Sequence, residues 1–252
     1  MKKLFDKDPV WFSVLWIVLY VVGFANADAI SDSIGIPKVL TAPIGLVLSG
    51  VLYLFLRRHR LLSAFGLCRL QTAWKNMFWF LPLVVISSVN LWNGVALQCG
   101  IGQILLHIVS MCCVGFLEEV IFRGLLLKAM ARSNLTAAVL VSSLTFGIGH
   151  IVNLLTGAPV LDTLLQIVYA TAIGFCYAAI FLAGGSLVPC ILSHALVNSM
   201  SIFALPADAQ TQMCIAAAQT VLGVSYGLWL LYRNRKKEDT HRETFHKSDS
   251  IP

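Results

Sequence analysis

The chain has 252 residues, of which 58% are hydrophobic and 12% charged, and its mean hydropathy is +0.81. Soluble domains are about 45–50% apolar and about 25% charged, so a water-soluble globule is excluded and an all-α, polytopic membrane helix bundle is expected. The formal charge of +6 sits between apolar runs and shows no basic–aromatic pattern, so no nucleic-acid partner is expected beside the lipid bilayer.

In chain order the apolar segments run over about 10–25, 39–56, 77–92, 104–127, 135–155, 163–183, 187–205 and 211–232. Several reach the ~20 residues that cross a bilayer as helix. About eight spans therefore form one transmembrane domain over 1–232, and residues 233–252 form a basic cytoplasmic tail expected to be disordered. The first segment has a second reading, a cleaved signal peptide ending near Ala25-Asn26-Ala27. Asp6, Asp8 and Pro9 before the run, and Trp11, Trp16 and Tyr20 within it, favour a retained span.

Orientation follows from the distribution of Lys and Arg. Lys2, Lys3 and Lys7 precede the first segment; Arg57, Arg58, Arg60, Arg69 and Lys75 lie between the second and third; Lys128 and Arg132 follow the fourth; Arg233, Arg235, Lys236 and Lys237 follow the eighth. The alternate loops carry Asp28, Asp32, Asp162 and Asp208 against one Lys38. Both termini are thus expected in the cytoplasm. The seven cysteines are odd in number, lie mostly in apolar runs and form no Cys-x-x-Cys, and they read as small buried hydrophobes.

Only two glutamates precede the tail, Glu118 and Glu119, adjacent in an otherwise apolar run, with Arg123 four residues after the second. Carboxylates at bilayer depth are costly unless paired or wet, so they point to function. Positions four apart share a helix face, so Glu119 can pair with Arg123, whereas Glu118 is rotated away by about 100° and left without a partner. That divides the two into a fixed anion and a base able to take a proton. Two further sites are Phe146 with His150, and His194 with Asn198, each pair one helical turn apart. Counting residues from the basic loops puts Glu118, His150 and His194 at depths that let them meet in a cavity on the cytoplasmic side. His107 lacks a partner at helical spacing and reads as a bystander.

Glu118-Glu119-x-x-x-Arg123, Phe146-x-x-x-His150 and His194-x-x-x-Asn198 resemble, in order and spacing, the three motifs of the CAAX prenyl endopeptidase and bacteriocin-processing (CPBP) family of intramembrane proteases, over about residues 100–205. The resemblance implies peptide-bond hydrolysis in the membrane of a bacterial cell, on a membrane-associated peptide or protein. It also implies a water held between Glu118 and His150. Glu118 would act as general base, His194 and Asn198 as donors to the oxyanion, and Glu119 with Arg123 as support. No cofactor is required in this reading. The alternative is a zinc metalloprotease with Glu118, His150 and His194 as ligands, although the chain has no His-Glu-x-x-His and would lack a separate base. A proton-coupled transporter is disfavoured by the lack of an inverted repeat. A non-catalytic bacteriocin-immunity protein that keeps the pocket is the remaining alternative.

Reporter fusions are expected to place Arg58 and Lys236 in the cytoplasm, and Asp162 and Asp208 outside. Arg58 and Asp162 on one side would refute this topology.

Overall fold

The structure, a computed structural model, describes residues 1–70, 78 and 80–248, with side chains through Asn234. A short helix α1 (Lys2–Lys7) leads into α2 (Pro9–Ile34). Asp8 sets the start of α2. Its carboxylate accepts hydrogen bonds from the N–H groups of Val10 (3.1 Å) and Trp11 (3.0 Å), and Pro9 brings the φ suited to a first helical turn. Helix α3 (Thr41–Arg58) returns, and α4 (Leu81–Ser88) ends in a 3-10 turn, Val89–Leu91. Next comes α5 (Ile101–Glu118), continued without a break by a π-helix (Glu119–Leu127) and α6 (Lys128–Met130). Helix α7 (Leu135–Gly149), capped by Asn134 on the N–H of Ala137 (2.9 Å), passes into a 3-10 segment, His150–Thr156. Then follow α8 (Val160–Gly184), α9 (Val188–Met200) and α10 (Ala209–Ser248). Asp208 accepts the N–H of Thr211 (2.7 Å) at the start of α10, which holds its carboxyl below the usual range.

Among the described residues six helices, not eight, are long and apolar enough to cross a membrane: Pro9–Ile34, Thr41–Arg58, Ile101–Met130, Leu135–Thr156, Val160–Gly184 and Ala209–Asn234. The third and seventh expected spans are the shorter apolar helices Leu81–Leu91 and Val188–Phe203. Gly94, in the left-handed region at φ 103, lies in the turn after the first of these, and Pro206 follows the second, where Ala204 is already extended. Hydropathy counts apolar residues without registering where helical geometry stops. The start of the third segment at 77, and the cation Lys75, lie outside the described residues. The last helix is continuous to Ser248.

Helix α5 packs against α3 and α9, and α8 packs against α7 and α10. The contact of α5 with α9 depends on Gly115. A Cβ there would lie 2.7 Å from the backbone nitrogen and 2.9 Å from the Cα of Ala195. The core joins α2 (Phe12, Trp16, Tyr20, Phe24) and α3 (Leu52, Phe55, Leu56) to Leu117 and Ile121.

The two ends of the bundle differ. At one, Phe5 meets Phe12, Phe55 and Phe65 edge to face at 5.3–5.9 Å, and the N–H of Leu187 donates to Gly66 O (2.8 Å). At the other, the N–H of Ala96 donates to Phe203 O (2.9 Å) and that of Leu205 to Gly94 O (3.2 Å). Apart from Lys38 and Arg123, the Lys and Arg residues of the described chain lie at or beyond the first end.

Replacing Gly115 with leucine should therefore destabilise the fold by the ~1–3 kcal/mol typical of overpacking and lower the midpoint of thermal unfolding in detergent. An unchanged midpoint would mean that α5 and α9 are not in close contact.

Candidate active site

The site is built around the point where α5 becomes a π-helix. Glu118 is the last α-helical residue and Glu119 the first of the i→i+5 stretch. Such stretches are rare and recur at functional sites. Here a neighbour contributes a hydrogen bond to it: the Ser142 hydroxyl on α7 donates to the backbone carbonyl of Phe122 (2.9 Å).

Glu119 and Arg123 are both wholly buried and form an ion pair at 3.0 Å. The same oxygen, Oε1 of Glu119, lies 2.9 Å from Nδ1 of His194. The guanidinium lies over the ring of Phe146, 4.1 Å from its centroid, and 5.9 Å from that of Tyr177. These aromatic faces meet the charge where Arg123 Nε and Nη2 have no hydrogen-bond partner. Gly174 makes the room, since a Cβ there would approach Arg123 Nη2 to 2.5 Å.

Glu118 differs from expectation. It is not left without a partner: Oε1 accepts the Tyr20 hydroxyl (2.7 Å) and Oε2 lies 3.3 Å from Nε2 of His194. His194 thus bridges the two glutamates, one through each ring nitrogen. Both contacts are hydrogen bonds when the ring carries two protons, or when Glu118 carries one and His194 the other. Adjacent residues reach the same imidazole because α9 lies alongside the end of α5.

Phe146 also does more than fill space. Its ring meets His150 (5.3 Å), His194 (5.7 Å) and Phe122 (5.4 Å) edge to face while holding Arg123 on its surface. His150 opens the 3-10 segment, and its Nδ1 lies 3.1 Å from Phe146 O. A proton on Nδ1 makes that contact a hydrogen bond and leaves the Nε2 lone pair free to accept.

Glu118, His150 and Asn198 line one cavity of about 410 Å³, together with Tyr20 and Phe146. Glu119, Arg123 and His194 are packed behind it. His194 is therefore not placed beside Asn198 as a second oxyanion donor, because both of its nitrogens are taken by carboxylates. The cavity also opens differently from the sequence-based expectation. Its buried floor is Glu118, Phe122 and Phe146, and its rim is the exposed Thr156 and Ser201 with the half-buried ion pair Lys38–Asp28 (2.8 Å), at the end away from the basic loops. Depth counting measures distance from one surface, not the direction in which a cavity opens. A larger groove of about 660 Å³ beside Leu140 and Tyr232 contains no acid or histidine and lies apart from this chemistry.

Among the described residues no group of three or more His, Cys, Asp or Glu is arranged to hold a metal. Of the three ligands in the alternative zinc reading, His194 contacts both glutamates, Glu118 at 3.3 Å and Glu119 at 2.9 Å, and His150 lines the cavity with Glu118.

Two contributing residues were not singled out from the sequence. Tyr20 belongs to a stripe of aromatics at four-residue spacing, Phe12, Trp16, Tyr20 and Phe24, and is the one member with a hydroxyl. His107, read as a bystander, approaches the backbone carbonyl of Asn198 through Nε2 (3.1 Å), and Ser201 Oγ donates to the same carbonyl (2.7 Å). No spacing rule could reveal a contact across 91 residues.

A carboxylate and a histidine thus face one cavity among apolar helices, backed by a buried ion pair. Residues 100–200 match the family model described as Type II CAAX prenyl endopeptidase Rce1-like, which supports the resemblance of the three motifs to the CPBP intramembrane proteases. No curated protein and no solved structure matches the chain. All seven motif residues fall inside the matched segment, while Tyr20, Asp28 and Lys38 lie outside it.

Glu119→Gln should leave a buried arginine without a counter-charge and cost roughly 3–5 kcal/mol, read as a large fall in thermal stability. Tyr20→Phe removes one hydroxyl and should cost only ~1 kcal/mol of stability. It should still lower the rate of cleavage, because one restraint on Glu118 is lost. Unchanged cleavage by Tyr20→Phe would show that the hydroxyl does not restrain Glu118 for catalysis.

Proposed function

We propose that the protein is a metal-independent intramembrane endopeptidase that hydrolyses a peptide bond of a membrane-associated protein or peptide with water activated by Glu118. The observation that carries this reading is the division of labour between the two glutamates. Glu119 is wholly enclosed by Arg123 and His194, whereas Glu118 reaches the cavity and faces the same space as His150.

In this mechanism a water donates one hydrogen bond to Glu118 and the other to Nε2 of His150. Its oxygen attacks the carbonyl carbon of the substrate as Glu118 takes the proton. The carbonyl oxygen becomes an oxyanion, and the amide of Asn198, on the cavity wall, donates to it. Collapse breaks the C–N bond, and Glu118 passes its proton to the departing amine. Tyr20 and His194 hold the carboxylate so that a lone pair stays aimed at the water. His107 and Ser201 hold the backbone at Asn198. Glu119 and Arg123 position His194 and touch no reacting atom.

Glu118→Gln tests the assignment directly. Glutamine keeps an oxygen able to accept from Tyr20, so the fold should survive with little change in thermal unfolding, while cleavage is lost. Comparing membrane-associated peptides from cells that carry the wild-type chain or Glu118→Gln would identify the substrate in the same experiment. Persistent cleavage by the variant would sink the general-base role, and an unchanged cellular phenotype would favour a non-catalytic immunity protein.

Metal dependence is decided by measuring zinc content and cleavage on one chelated sample. Full activity at substoichiometric zinc is the expected result. One zinc per chain, lost and restored together with activity, would overturn it.

A further inference from the structure

We infer that the catalytic cavity is filled from the membrane face opposite the arginine- and lysine-rich end, so that the substrate is a short peptide segment presented on the non-cytoplasmic side. The inference deepens the protease reading and rests on it.

Three observations point the same way. The first is the gradient of exposure along the cavity. Tyr20, Glu118, Phe122 and Phe146 are buried, whereas Thr156 and Ser201 are exposed and Asp28 and Lys38 are partly so. The exposed members are polar and lie where helices end, at the close of the His150–Thr156 turn and just beyond α9. That is the chemistry of a wet mouth, not of a lipid-facing surface.

The second observation is that the opposite direction is closed. From Glu118 towards the basic end, every residue from Glu119 to Leu127 is buried. The Arg123 side chain, its two flanking aromatic rings and the buried Leu117 fill the space beneath the floor. A peptide arriving from that end would have to part the helix that carries the two glutamates.

The third is charge. Lys and Arg concentrate in loops that stay in the cytoplasm. At the mouth end the helix ends and loops carry Asp28, Asp32, Asp162 and Asp208, and their one cation, Lys38, is engaged by Asp28. The mouth is thus the non-cytoplasmic end.

The consequence concerns the class of substrate. A cavity of about 410 Å³ accepts a short extended stretch, not a folded domain. The segment that enters is the membrane-proximal part of an exported or membrane-inserted polypeptide. A tail anchored in the cytoplasmic leaflet does not meet the opening.

Access can be read without any catalysis. Right-side-out and inside-out vesicles containing the full chain are treated with a charged, membrane-impermeant maleimide, and the modified cysteines are mapped by mass spectrometry. Cys68 at the basic end and Cys99 at the mouth end, both partly exposed, are internal markers of side. Thr156→Cys at the rim and Met111→Cys on the cavity wall report the mouth and the interior. Val21→Cys, on the facing wall, replaces the second should Met111→Cys unfold in detergent.

Thr156→Cys, Met111→Cys and Cys99 should be modified in right-side-out vesicles, and Cys68 only in inside-out ones. Modification of the Met111→Cys thiol from the side of Cys68 would overturn the inference. So would modification of Cys99 from the cytoplasmic side, or a well-folded chain whose wall cysteines react from neither side. Glu118→Gln should label like the wild type, so failure of the protease reading leaves the labelling pattern intact and is seen only as retained cleavage.

Discussion

The site depends on enclosing one acidic side chain, that of Glu119, where it is wholly buried. An isolated charge there would be prohibitive, and the chain surrounds it with two partners on a single oxygen, Arg123 at 3.0 Å and His194 at 2.9 Å. Each partner is fixed in turn. The guanidinium is held between Glu119 and the face of Phe146, in space left by Gly174, and the imidazole is braced by the edge of Phe146. Three helices, α5, α7 and α9, are thereby locked to one another through a single anion. Their registry decides where Glu118, His150 and Asn198 end up.

Glu118 differs from its neighbour by a rotation along the chain and by what that rotation brings into reach. It touches Tyr20 from α2 and His194 from α9, yet still borders the cavity. A restrained but accessible carboxylate is suited to exchanging a proton with bound water. The tyrosine lies outside the Rce1-like segment, so the first long helix completes a site whose motifs lie in the matched segment. A retained first helix is then a condition for the full set of contacts, not just a membrane anchor.

The bundle is also asymmetric along its axis. One end is basic and packed with aromatic side chains, and the other is acidic and holds the rim of the cavity. The shorter helices α4 and α9 contribute to this. The turn that follows α4 and the 3-10 turn that follows α9 pair through backbone hydrogen bonds near Gly94 and Phe203, which places Asn90 and Asn198 on the cavity wall.

Much of this was legible in the residues. Apolar composition dictated a helical membrane protein, because only helices satisfy their own backbone groups in lipid across such lengths. Glu118, Glu119, Arg123, His150, His194 and Asn198 stood out because charged and imidazole side chains are rare in such runs, and four-residue spacing paired Glu119 with Arg123. Spacing along one helix could not show that His194 spans both glutamates, that Tyr20 reaches Glu118, or that His107 supports Asn198. Those contacts join residues 75 to 98 positions apart, and they exist only once the helices are packed. The length of α4 and α9, the π-helix and the direction in which the cavity opens belong to the same class. The amino-acid sequence determined which groups carry charge and on which helix face they start. Tertiary packing decided which of them are sealed in and which meet the cavity, because burial depends on the neighbours that other helices bring.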